Sequence, residues 1–168
     1  DTPFGYCRGD GTELVMNIGT GGGTLLHEMV HAMAAEDWPA IPAWLNEGLG
    51  SLFEAAALDR KGRAIGITNW RLSGLLEDIR AGAAPRLSEV LKMTDGEFYA
   101  PRRSGTNYAA ARYLMQYLQE EGQLEAFYWR VRDGRDADAG ASLRAVFGNR
   151  FTVEQIEKAF YDWVRSLT

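Results

Sequence analysis

Apolar residues recur along most of this chain with the spacing of amphipathic helices. The first such segment, residues 25–36, places Leu26, Met29, Val30 and Met33 at i, i+3, i+4 and i+7. That stripe predicts a helix packed by that face. Before it, Leu14-Val15-Met16-Asn17-Ile18 reads as a short strand. Gly19-Thr20-Gly21-Gly22-Gly23 reads as a flexible turn between the two, with Thr24 or Thr20 as the N-cap. Pro39 and Pro42 interrupt the pattern, and Pro42 is well placed as the first residue of a second helix over 43–58. Trp44, Leu45, Leu49, Leu52, Phe53 and Ala56 give that helix a broad apolar face. Gly48 and Gly50 each cost it about 1 kcal/mol of propensity relative to Ala, which predicts close approach of another backbone, that of the preceding helix.

Beyond a polar loop over 59–66, Ile65-Gly66-Ile67 reads as a short extended piece. Helices are predicted near 69–81, 87–93, 106–121, 123–132, 139–147 and 152–167, punctuated by Gly82, Pro85, Gly96, Pro101, Gly122, Gly134 and Gly148. Tyr113 and Tyr117 fall at core spacing with Leu114 and Leu118. In the last helix Ile156, Phe160, Trp163, Val164 and Leu167 point inward. No internal repeat or coiled coil is present.

At 168 residues the expectation is one domain over 1–168, with a strand-bearing part over about 1–66 and a helical part over 67–168. A net charge of −5 argues against nucleic acid as the main partner. The charge is uneven: residues 1–60 hold nine acids against two arginines, so some acids are expected to face a cation. Cys7 is the lone cysteine, which excludes an internal disulfide and a cysteine-based zinc site. No apolar run reaches the length of a membrane span. The chain opens at Asp1 with no Met, so the expectation is either an artificially trimmed chain or a processed product that could have lost a targeting segment, with an extracytoplasmic compartment favoured.

Both histidines of the chain lie in His27-Glu28-Met29-Val30-His31. On a helix, residues four apart share a face, so both imidazoles can reach one metal ion. Glu28 sits about 100° round from His27, where its carboxylate reaches a water on that metal more easily than the metal itself. Catalytic zinc sites usually have three protein ligands, so a carboxylate must complete the set. Glu47 is the first candidate, with Glu54 and Glu36 as rivals.

The pairing of His27-Glu28-Met29-Val30-His31 with Pro42-Ala43-Trp44-Leu45-Asn46-Glu47-Gly48 resembles the gluzincins, zinc metallopeptidases with a helix-borne HExxH and a downstream glutamate ligand. The Trp-Leu-Asn-Glu-Gly string is similar to that of gluzincin aminopeptidases. The 15 residues between His31 and Glu47 make a shorter link than theirs or thermolysin's. The shorter link resembles compact peptidase MA-like domains. The helical half, around Leu87–Leu91, Glu97–Tyr99 and Asn107–Leu118, also resembles theirs, more loosely. The motif that anchors a substrate amino terminus in those aminopeptidases is not visible.

The resemblance implies a mainly α, α+β zincin-like fold, with an HExxH helix, a glutamate-ligand helix, a short N-terminal strand region and a C-terminal helical bundle. It implies one Zn²⁺ ion held by His27, His31 and Glu47, with Glu28 as general base. By position, Tyr108 stabilises the oxyanion, with Tyr99 as runner-up. A peptide or protein substrate follows, and the 14–18 strand could pair with it. Where gluzincins often carry an acceptor for a zinc histidine one turn past the ligand, this chain has Ser51, and Glu54 could compensate. The alternative is a catalytically inactive zincin-like module that binds peptide or acts as a scaffold.

Overall fold

The computed structural model describes residues 5–7, 13–17, 19 and 21–167. Among them the chain is mainly helical, with two small antiparallel hairpins. Strand β1 (Gly5–Cys7) pairs with β2 (Leu14–Met16). Helix α1 (Gly22–Asp37) carries the two histidines, and α2 (Ala43–Phe53) carries Glu47. Strand β3 (Ala56–Leu58) pairs with β4 (Ala64–Gly66). The rest is α3 (Arg71–Arg80), α4 (Leu87–Val90), α5 (Asp95–Phe98), α6 (Ser104–Glu120), α7 (Leu124–Arg132), α8 (Ala139–Val146) and α9 (Val153–Ser166).

The core is organised around α6. Its residues from Ala109 to Leu118 are all buried, and α2 lies along it. Trp44, Leu45 and Leu52 of α2 pack there with Leu75, Phe98, Phe127, Leu143, Ile156 and Phe160. Tyr113 and Tyr117 are core residues, as their spacing predicts. In α9, Ile156, Phe160 and Val164 are buried, while Trp163 and Leu167 are only half-buried against the core. At Gly48 an added Cβ would lie 3.1 Å from the Ala111 carbonyl oxygen, so this glycine lets α2 approach α6 rather than α1. At Gly50 it would lie 3.0 Å from His27 Nε2, so here it is the imidazole of α1 that needs the space.

Three expectations are corrected. The second helix stops at Phe53, not at 58. Asp59 Oδ1 accepts hydrogen bonds from the backbone N–H of Lys61 and Arg63, which closes a turn and lets β3 pair with β4. That local pairing overrides the helix propensity of the Ala55-Ala56-Ala57 run. Helix α1 begins at Gly22 and its N-cap is Gly21, at φ 85°, a left-handed conformation suited to glycine. Thr24 therefore lies inside the helix, and Thr20 lies outside the described residues, as does Ile18 at the end of the expected strand.

The third correction concerns the α1 stripe. Leu26, Met29 and Met33 are 42%, 41% and 70% exposed, so the helix does not pack by that face. Its inward side carries the half-buried histidines and the buried Ala34, turned toward α2. The C-terminal end of α1 is fixed to α7: the Tyr128 hydroxyl donates to Asp37 Oδ2 at 2.6 Å, and Arg132 pairs with the same carboxylate at 3.0 Å. Sequence reading also missed α5, a single turn with a Thr94–Glu97 capping box. Among the described residues no helix is long and apolar enough to cross a membrane.

Candidate metal centre

His27 and His31 lie four residues apart on α1, and their rings meet edge to face with centroids 4.7 Å apart. Glu47, one turn into α2 and buried, enters between them. Its Oε2 lies 3.1 Å from His27 Nε2 and 3.4 Å from His31 Nε2. The three ligand atoms lie within 4.8 Å of one another and could hold a metal ion. Two ligands about 2.0–2.1 Å from a tetrahedral ion such as Zn²⁺ stand about 3.3 Å apart, close to the two histidine–Glu47 separations, as a group that could hold a metal ion requires.

Each ligand is also held from behind, the arrangement that fixes ligand orientation at metal sites. His31 Nδ1 lies 2.9 Å from Asn46 Oδ1. His27 Nδ1 lies 3.4 Å from Glu54 Oε2. The Tyr99 hydroxyl donates to Glu47 Oε1 at 2.7 Å. Glu54 is itself gripped by Arg71, through Nε at 3.0 Å and Nη2 at 3.2 Å, and by Asn69 Nδ2 at 2.6 Å.

The loop that supplies Asn69 and Arg71 is fastened to α6. Gln119 bonds both the N–H and the carbonyl of Gly66, and Arg112 donates to the Ile67 carbonyl. The Tyr113 hydroxyl accepts from the Asn69 N–H and donates to its carbonyl, both at 3.2 Å. The buried helix thus reaches His27 through this loop and Glu54.

The electrostatics favour a cation. Burial alone would depress both imidazoles, but the adjoining carboxylates outweigh it: Glu47 and Glu54 raise His27 to about 9, and Glu47 raises His31. Burial would raise the Glu47 carboxyl, yet the two histidines and Tyr99 hold it well below the usual range. Glu54 likewise stays low against its burial, through His27 and Arg71.

The residues expected at the site fall as follows. His27, His31 and Glu47 converge. Glu28 is half-buried on the next position of α1 and makes no hydrogen bond or ion pair among the described residues. Tyr108 stands close enough to feel the charges of Glu47 and Glu28, and burial with the Glu47 charge pushes its hydroxyl well above the usual range. The Arg71 guanidinium lies 5.2 Å from its ring centre. Glu36 is exposed and outside the cluster, and Glu54 faces the far nitrogen of His27 rather than the cluster. Ser51 does not take the acceptor role one turn past Glu47: its hydroxyl is buried without a partner, and Glu54, two turns on, faces His27 instead.

Sequence reading missed Asn46, Asn69 and Arg71. Asn46 was legible in principle, as the neighbour of Glu47 inside Trp-Leu-Asn-Glu-Gly. Asn69 and Arg71 have no local signal, because only the β3–β4 hairpin brings them back to Glu54.

Neither the curated proteins nor the solved structures contain a match to the chain. A family model described as "Protein of unknown function (DUF1570)" matches residues 22–137. That span runs from the first residue of α1 to the residue before the α8 cap and includes His27, His31, Glu47, Glu54 and Tyr99. The chain therefore belongs to the DUF1570 family.

Proposed function

We propose that the domain is a zinc-dependent metallopeptidase. The observation that carries this reading is the convergence of both histidine Nε2 atoms on one oxygen of Glu47, at 3.1 and 3.4 Å, with Glu28 next to His27 on the same helix. His27, His31 and Glu47 would hold the ion. A zinc ion bound there supplies Lewis-acid activation of a water and of a substrate carbonyl.

Glu28, whose carboxylate has no hydrogen bond or ion pair among the described residues, accepts the proton of the attacking water and returns it to the leaving amine. Tyr108 donates a hydrogen bond to the oxygen that becomes negative in the tetrahedral transition state, a task its raised pKa suits because it keeps its proton. Strand β2 offers an extended substrate a backbone to pair with.

The variant Glu28→Gln tests the role assignment. It should bind one zinc as the parent does and lose peptide hydrolysis by at least about 100-fold, the scale of a lost general base. Zinc binding without hydrolysis by the parent protein would favour a non-catalytic peptide-binding module. Undiminished hydrolysis by the variant would remove Glu28 from the mechanism.

A further inference from the structure

The two oxygens of Glu47 are used differently. Oε2 faces both histidines, while Oε1 accepts from the Tyr99 hydroxyl at 2.7 Å. Tyr99 is the first residue after α5, and that one-turn helix is fastened on several sides. Asp95 Oδ1 accepts from the Ala43 N–H at 3.1 Å, at the start of α2 and one turn before Glu47. The buried Asn107 of α6 donates from Nδ2 to the carbonyls of Glu97 and Phe98, at 3.2 and 3.0 Å. Phe98 is wholly buried, and the Thr94–Glu97 capping box closes the first turn. A segment of four residues is thus pinned to α2, which carries Glu47, and to the buried α6, and it delivers one hydroxyl to one carboxylate oxygen.

We propose that Tyr99 is a positioning residue that makes Glu47 a one-oxygen metal ligand. A carboxylate whose second oxygen is free can swing it onto the ion and fill the position that a catalytic site keeps for water. With Oε1 tied to Tyr99, only Oε2 would be free to meet an ion held by the two histidines. Asn107, Asp95 and Phe98 keep the phenol at its fixed distance. The inference rests on reading the cluster as a metal centre.

Tyr99→Phe keeps the ring and removes only the hydroxyl. The full chain and this variant are each titrated with Zn²⁺, then loaded with Co²⁺ as a spectroscopic stand-in. The parent should bind one ion and show the strong visible absorption of low-coordinate cobalt. The variant should bind zinc about tenfold more weakly, the scale for a lost partner of a metal ligand. Its cobalt band should weaken as the second oxygen joins the ion, while the metal-free variant melts with the parent. An unchanged cobalt spectrum, whatever the zinc affinity, overturns the proposal and leaves the metal centre standing. A parent chain that binds no metal overturns the metal reading itself, and the role of Tyr99 with it.

Discussion

Glu54 Oε2 stands 3.4 Å from His27 Nδ1, on the side of the ring away from Glu47. A carboxylate there fixes which nitrogen of His27 faces the cluster and makes it a stronger donor. Glu54 lies seven residues beyond Glu47 at the C-cap of α2, still in helical conformation with its N–H bonded to the Gly50 carbonyl, so two helical turns bring it to the same face as Glu47. Arg71 and Asn69 then hold it in place.

Glu54→Gln removes the charge behind His27 with little change in shape. Zinc affinity is expected to fall roughly 10- to 100-fold. Competition against a chromophoric chelator measures it, and an affinity within about twofold of the parent would make Glu54 a bystander, since second-shell losses are larger than that.

Gly50→Ala separates metal binding from folding. Alanine is the better helix former by about 1 kcal/mol, so the metal-free protein should lose little or no stability. The new Cβ would sit 3.0 Å from His27 Nε2 and 3.1 Å from two ring carbons, so the imidazole must move off the cluster. Zinc affinity should fall by roughly tenfold or more, as for a disturbed ligand shell. Calorimetric zinc titration beside thermal melting of the metal-free variant reads both effects.

Metal and protons compete for the histidines. With its pKa raised to about 9, His27 in the metal-free fold carries a proton at neutral pH. Its pKa is higher folded than unfolded, where it is about 6.5. The stability it contributes is therefore fully present below about pH 6.5 and is lost as pH rises through about 9. Metal binding needs the neutral ring, so zinc affinity should rise over the same interval. Between pH 6.5 and 9 the stabilisation by zinc, read as a shift in Tm, should grow at the expense of the metal-free protein. A zinc-induced shift independent of pH would contradict the protonated cage.

How the site was legible follows from the length scale of each signal. His27, Glu28 and His31 sit within five residues, and Glu47 lies in a segment with its own string, so local spacing sufficed. The helical half was readable because Tyr113, Leu114, Tyr117 and Leu118 face one core. The α1 stripe misled, because the helix turns its histidines and Ala34 inward and leaves Leu26, Met29 and Met33 outward. Arg71 and Asn69 were invisible for another reason: hairpin pairing, a contact at a distance in sequence, decides where they lie. Tyr99 was visible only as the second candidate for the oxyanion, since its bond to Glu47 depends on α5 being tied to α2 through Asp95 and to α6 through Asn107.

The most direct test of a metal centre built by His27, His31 and Glu47 is zinc stoichiometry with X-ray absorption at the zinc edge, on the full chain and on Glu47→Ala. The account predicts one tightly held zinc per chain, with two imidazole nitrogens and oxygen donors near 2.0–2.2 Å. In Glu47→Ala, with one of three ligands gone, affinity should drop at least about 100-fold, the upper end of the range for mutating even a supporting partner. A chain that takes up no zinc at one equivalent, or that binds it equally well without Glu47, would contradict it.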